Sequence, residues 1–325
     1  MNKKFLLLFT TLFFVLISSS CGKKNDNPYI REEDFIYFGT YPQTLVSDEK
    51  IIEKLNNKIG NLPTKQDSFN WTSYNYYINS NVEDFMFYQD IDLDNDKKYD
   101  YRGVYFIDYR PDSVLDSSSL NTSFQDDNGY YIDNVYWFKY EPIKWQIRHE
   151  ENGLALIFSC NILDSQDFYP SDKGDIFDHN NGKGYINNYA LSNIRKWLNE
   201  DFYNLSFSKI EKKAIVDKEI DNSVSSTDRN AREYTCENTV DHILLLSLTD
   251  MLNDTNMDNR VSIGTPYALA QGLYTESTIY GYFRLRSPDS CGPTYIWTAM
   301  SDGIIRGGTV YNTGFGVRPA LWIKL

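Results

Sequence analysis

The chain is short of the residues from which most enzyme and metal centres are built. It has three histidines, His149, His179 and His242, and none stands in an HExxH or HxH spacing, which excludes the common helical zinc signature. His242 precedes an apolar run and reads as a structural histidine rather than a general base, because no partner is legible beside it. There is no GxSxG elbow to carry a serine nucleophile. Gly303, Gly307 and Gly308 are not followed by a helix, so they read as turns and not as a phosphate cradle. Four cysteines without a CxxC pair leave no clustered thiolates for a metal. Positive charge is scarce as well: 32 Lys and Arg stand against 45 Asp and Glu, for a net charge of −13. Such a chain lacks the basic footprint that nucleic acid or an anionic lipid surface requires.

Long apolar runs are also missing, except at the start. Lys3 and Lys4 precede Phe5 to Ile17, broken only by Thr10 and Thr11; Ser18, Ser19 and Ser20 then lead into Cys21, Gly22, Lys23 and Lys24. A run of about 13 residues is too short to span a ~30 Å hydrocarbon core comfortably. The layout is that of an export signal over residues 1–20, ending at a cysteine that diacylglycerol can modify once the chain is cleaved before it. An ordinary signal cleaved at the serine triplet is the rival, and Ser18 stands where a lipoprotein signal prefers Leu. Two acyl chains on Cys21 suffice for stable attachment. The expectation is a lipid-anchored protein of the bacterial cell envelope, extracytoplasmic, touching the membrane through its lipid alone. Losing Lys3 and Lys4 takes the mature charge from −13 to −15. With Cys21 committed, Cys160, Cys236 and Cys291 allow at most one disulfide, in any of three pairings.

What is present is a folded body. Residues 21–33 read as a polar tether and 34–325 as a single α+β domain, because strands at both ends and helices in the middle follow no βαβ rhythm. Phe35 to Pro42 reads as a strand and Ser47 to Ile59 as a helix. Two aromatic runs from Asp84 to Tyr109 flank an acidic tip, a hairpin in which Asp92, Asp94, Asp96 and Asp100 have the one, three, five, nine spacing of a calcium loop. Lys97 replaces the turn glycine and Gly103 the bidentate glutamate, so no cofactor is expected and calcium stays the weaker alternative. Pro142 is read as separating strands Tyr130 to Phe138 and Ile143 to Arg148; Leu154 to Ser159 is another strand. Asn188 to Leu205 places Ile194, Trp197, Leu198, Phe202 and Leu205 on one helical stripe, and Ser208 with Glu211 spells a capping box for the next helix. Thr265-Pro266 opens a short helix that Gly272 closes. Tyr295 to Met300, the turn Ser301-Asp302-Gly303 and Ile304 to Tyr311 form a hairpin before a final strand, Gly316 to Ile323.

Six strings stand in order: Phe38-Gly39-Thr40-Tyr41-Pro42-Gln43, Ile143-Lys144-Trp145, Ile162-Leu163-Asp164-Ser165, Ile194-Arg195-Lys196-Trp197-Leu198-Asn199, Leu285-Arg286-Ser287-Pro288 and Gly316-Val317-Arg318-Pro319-Ala320-Leu321. In this arrangement residues 34–325 resemble a bacterial family of domains of unknown function found in surface lipoproteins and multidomain cell-surface proteins of Firmicutes and spirochaetes. The C-terminal pattern is more distantly similar to the C-type-lectin-like fold of sulfatase-modifying enzymes. That likeness implies paired N- and C-terminal strands, Phe35 to Tyr41 beside Val317 to Ile323. It does not carry over the oxidase activity, because only Cys291 lies near the C-terminus where those enzymes have a cysteine pair.

The function expected is therefore binding of a glycan or protein without catalysis, through C-terminal loops, with Tyr295, Trp297, Arg306 and Tyr311 as candidate contacts. The rivals are an envelope hydrolase with paired carboxylates and a purely structural surface protein. Arg284, Arg286 and Arg318 suit a pocket for an acid, but in so acidic a chain they read first as partners of buried carboxylates.

Overall fold

The structure is a computed structural model that describes residues 27–74, 86–113, 124–168, 174–180, 182–254, 256–276 and 278–325. The export segment and Cys21 lie outside the described residues. The chain begins with β1 (Ile30–Glu32), β2 (Phe35–Leu45), α1 (Glu49–Asn56), β3 (Thr72–Ser73), β4 (Met86–Ile91) and β5 (Tyr101–Phe106). Next come α2 (Phe124–Asp127), β6 (Val135–Glu151), β7 (Leu154–Ser159), β8 (Asp164–Ser165), β9 (Ile176–His179), β10 (Gly182–Tyr185), α3 (Asn193–Trp197) and α4 (Tyr203–Ser206). Then follow β11 (Ile215–Val216), β12 (Lys218–Ile220), β13 (Thr239–Asp241), β14 (Ile243–Leu244), α5 (Leu248–Asn253) and α6 (Pro266–Ala270). The chain ends with β15 (Phe283–Pro288), β16 (Tyr295–Ala299), β17 (Ile305–Thr309), β18 (Gly316–Val317) and β19 (Ala320–Lys324). The fold is α+β and rich in strands, as expected.

The main sheet runs β11-β19-β7-β6-β5-β4-β3, with β2 on β6, β1 on β2 and β14 on β19. Its spine is the 17-residue β6, which passes straight through Pro142 and does not break there. The reason lies in the pairing. One edge of β6 takes β5 along Val135 to Lys139 and β7 along Trp145 to Glu151, so the missing N–H of Pro142 falls in the gap between them. Asn152 and Gly153, both at positive φ, make the tight turn that folds β7 back on β6.

The expected pairing of the N- and C-terminal strands does not occur. β2 occupies one edge of β6, β7 the other, and β19 adds to the far side of β7, so two strands separate β2 from β19. The final strand is also two strands: β18 joins the second sheet and β19 the main one, with Arg318-Pro319 turning the chain between them. Order starts earlier than the tether reading allowed, because β1 pairs with β2 around Glu33, at φ 49°.

The second sheet has the order β17-β16-β15-β18-β8. Phe283, Leu285 and Ala299 of this sheet pack with Phe158, Leu244 and Ala320 of the main sheet, which closes the seam between the two. On the other side of the main sheet α1 buries Leu55 among Trp71, Phe87 and Trp137, and Asp48 caps it. The long helix expected from Asn188 is broken: a 3₁₀ turn precedes α3, a π segment at Leu198–Phe202 separates α3 from α4, yet Ile194, Leu198 and Phe202 still form one buried stripe. Ser208 and Glu211 do exchange both capping bonds, at 2.7 and 3.3 Å, but a single 3₁₀ turn follows and Ile210 is exposed. Glu211 also accepts from the amide of Gly39 at 3.0 Å, so the box ties this turn to β2.

Candidate functional site

The hairpin of β16 and β17 forms around Ser301-Asp302-Gly303 as expected, and its register sorts the candidate residues. Directly opposed residues share a face and neighbours along a strand alternate. Tyr295 opposes Thr309 and Trp297 opposes Gly307, so these lie on one face; Arg306 opposes Thr298 and lies on the other. Tyr311 is buried, with its hydroxyl on the Asp175 carboxylate; burial and then that carboxylate push it above the ordinary tyrosine range. Tyr295 and Trp297 remain together, while Arg306 and Tyr311 do not join them. Gly307 and Gly308 are strand residues, not turns. An added Cβ at Gly307 would stand 2.0 Å from Asp289 Oδ2, so the buried Asp289 carboxylate needs a glycine there.

The three singled-out arginines are structural, but they seek carbonyls more than carboxylates. Arg318 donates to the carbonyls of Ser159 and Asn259, both at 2.7 Å, and lies 3.9 Å from the Phe158 ring centre. Arg284 reaches the carbonyls of Thr309 and Asn312. Burial pulls both guanidiniums down to about 9. Arg286 alone has a carboxylate, Asp250 at 2.9 Å, beside the carbonyl of Leu245 at 2.7 Å.

The strings behind the resemblance bond to one another. Trp145 Nε1 donates to Phe38 O at 2.7 Å, and the Tyr41 hydroxyl donates to Asp164. Asp164 is 1% exposed; it also accepts from the Ser165 amide at 2.6 Å and from Gln166 at 3.3 Å, and burial pushes it up to about 6. Tyr267 of α6 stands edge-on to Tyr41, and Arg102 donates to its hydroxyl at 3.1 Å while gripping Asp90 at 2.8 and 2.7 Å. This network is sealed inside the fold and is out of reach of a large substrate.

In the acidic hairpin tip, Asp92, Asp94 and Asp100 bring one oxygen each within 4.8 Å, while Asp96 stands outside that group. Backbone amides already engage these carboxylates: Asp92 accepts from Asn95, Asp96 and Lys97, and Asp100 from Leu93. These bonds take up part of the carboxylates' acceptor capacity. Cys160, Cys236 and Cys291 are all free thiols, and burial pushes Cys236 up to about 11. His242 has a partner the sequence concealed, Asp217, and stacks on Tyr203 at 4.3 Å in a half-exposed position.

A cavity of about 260 Å³ opens where α2 meets the loop after α6, lined by Phe124, Asp127, Asn128, Leu273, Tyr274, Thr275 and Glu276. Its walls are built locally. Thr265 caps α6 and Pro266 starts it; at its end Gly272, at φ 91°, bonds to Leu269 and Leu273 bonds to Ala268, a complete Schellman closure. The closure hands the chain to Tyr274, whose amide donates to Gly314 at 2.7 Å. Opposite, Gln125 of α2 donates to Ala270 at 3.0 Å and Asn128 to Leu269 and Leu273, which fixes α2 against α6. Phe124 and Tyr274 then meet with ring centres 4.7 Å apart. Glu276, at φ 50°, accepts from the Tyr282 hydroxyl at 2.7 Å and from Ser301 at 3.4 Å. Two aromatic faces, two carboxylates, an amide and a hydroxyl thus converge on one open space. None of the four hairpin candidates lines it. Its two walls are some 150 residues apart in the chain, so only the Thr265–Gly272 helix gave a sequence signal.

A family model described as a domain of unknown function, DUF6273, matches residues 152–325, and the chain belongs to that family. No curated protein and no solved structure matches the chain.

Proposed function

We propose that this member of the DUF6273 family is a lipid-anchored extracytoplasmic domain that binds a glycan, without catalysis, in the cavity between α2 and the loop after α6. One observation carries the reading: aromatic rings, carboxylates, an amide and a hydroxyl converge on an open cavity of about 260 Å³. Sugar rings present C–H faces that stack on aromatics and hydroxyls that need directed acceptors, and this lining supplies both. Tyr295 and Trp297, on a shared face of the hairpin, are a second contact area of the same chemistry. The anchor rests on Lys3, Lys4, the apolar run and Cys21.

The test is a glycan array probed with the full chain, followed by Tyr274→Ala. Binding to a defined sugar class, lost in that variant while Tyr295→Ala keeps it, supports the cavity; binding that depends on Tyr295 instead moves the site to the hairpin. Cys21→Ser should release the protein from membranes, and retention there would remove the anchor. Asp127 and Glu276 on one cavity also give the hydrolase reading a footing. Turnover of a bound oligosaccharide that disappears in Glu276→Gln would replace the binding function with that one.

A further inference from the structure

Resting on the glycan reading above, we infer that the cavity selects sugars bearing a free ammonium group over neutral or N-acetylated ones. The inference comes from counting what the lining still has to offer. Four of its main-chain amides are committed: that of Asp127 to Asp126, that of Asn128 to Phe124, that of Leu273 to Ala268 and that of Tyr274 to Gly314. The Asn128 side-chain amide spends both its hydrogens, on Leu269 O at 3.0 Å and Leu273 O at 2.8 Å. Among the described residues the charged groups that line the cavity are both acceptors, the Asp127 and Glu276 carboxylates, joined by the Asn128 side-chain oxygen, with the Thr275 hydroxyl beside them.

Charge points the same way. No Lys, Arg or His lines the cavity, and neither Asp127 nor Glu276 is in an ion pair among the described residues. The Tyr282 hydroxyl, pushed up to about 12 by burial and then by Glu276, stays a donor and holds one oxygen of Glu276, which leaves the other to a ligand. A sugar acid would meet two carboxylates of its own sign, and an N-acetyl group masks the amine that those carboxylates can hold. An ammonium brings three donors and a positive charge, and the Phe124 and Tyr274 rings add a cation–π surface for it. Both carboxylates are at the rim, so the electrostatic part of the selectivity is screened by salt.

Calorimetric titration of the full chain decides it, with three trisaccharides as probes: one of glucosamine, its fully N-acetylated counterpart and one of glucose. The amine form should bind at least about tenfold more tightly than the other two, which is about 1.4 kcal/mol. That advantage should shrink on going to high salt and again in Glu276→Gln and in Asp127→Asn. Both variants are isosteric surface changes, and a melting curve for each shows that it is folded. Equal binding of all three sugars overturns the ammonium preference and leaves the glycan reading standing. Binding of none removes the glycan reading itself. An amine preference that survives both variants places it elsewhere on the protein and overturns the assignment to this cavity.

Discussion

Arg102 in the main sheet and Arg284 in the second sheet are both almost fully buried, at 4% and 1% exposed, yet the fold accommodates them in different ways. Arg102 has a bidentate carboxylate, Asp90, and lies 4.0 Å from the Tyr88 ring centre. Burial opposes its charge, but Asp90, helped by Tyr140 and Tyr267, outweighs that and holds Arg102 well above the usual range. Arg284 has the carbonyls of Thr309 and Asn312 and the Phe315 ring centre at 5.2 Å but no bonded carboxylate, its Nε has no partner among the described residues, and burial leaves it at about 9. In the regular part of the fold, where ladders satisfy the backbone, a buried guanidinium serves a charge. Arg284 instead serves two carbonyls, one at the end of β17 and one in the loop that follows it. The same residue type neutralises at one site and splints at the other.

The contrast breaks most visibly at Asp90. Asp90→Ala leaves Arg102 buried and unpaired, and is expected to cost about 3–5 kcal/mol in urea unfolding. A loss under ~1 kcal/mol would mean that the tyrosines alone sustain the charge. Asp164→Asn tests a carboxylate placed like Arg284, buried without a cation of its own. Its folded pKa of about 6 lies above the ordinary 3.8, so folding takes up a proton between those values. Stability should therefore rise as pH falls from 7 toward 4, by up to about 3 kcal/mol, and Asp164→Asn should flatten that rise and stabilise the protein at pH 7.5. Wild-type and variant melting curves with the same pH dependence would refute this. Arg284→Met removes a splint and takes the guanidinium from the Thr309 and Asn312 carbonyls, at about 1–3 kcal/mol, clearly less than Asp90→Ala; an equal or larger cost would erase the distinction between the two arginines. The smallest effect is expected at the acidic hairpin, where amides already occupy the carboxylates: added Ca²⁺ should leave the thermal midpoint unchanged, and a rise would make the tip a calcium site.

Features set by neighbours in the chain were legible in the sequence. Thr265, Pro266 and Gly272 carry their own capping chemistry, and Ser301-Asp302-Gly303 its own turn. Features set by distant pairing were not. Pro142 reads as a break because its harmlessness depends on where β5 and β7 stop along β6. Gly316 to Ile323 reads as one strand because nothing local says that its halves join different sheets. Arg306 and Tyr311 were grouped with Trp297 on composition, whereas the strand period separates them. The cavity was illegible as a site for the same reason: α2 and the loop after α6 come together only in the fold.

The turn at Asn152-Gly153 is also where the family match begins, so the match takes in β7 and leaves β6 outside it. A chain starting at Asn152 would keep Asp164 but lose Tyr41, and would keep β7 but lose β6 from its edge. It would also lose α2, and with it one wall of the cavity. The matched stretch by itself thus leaves one edge of β7 open and the cavity with one wall, so both depend on residues before Asn152.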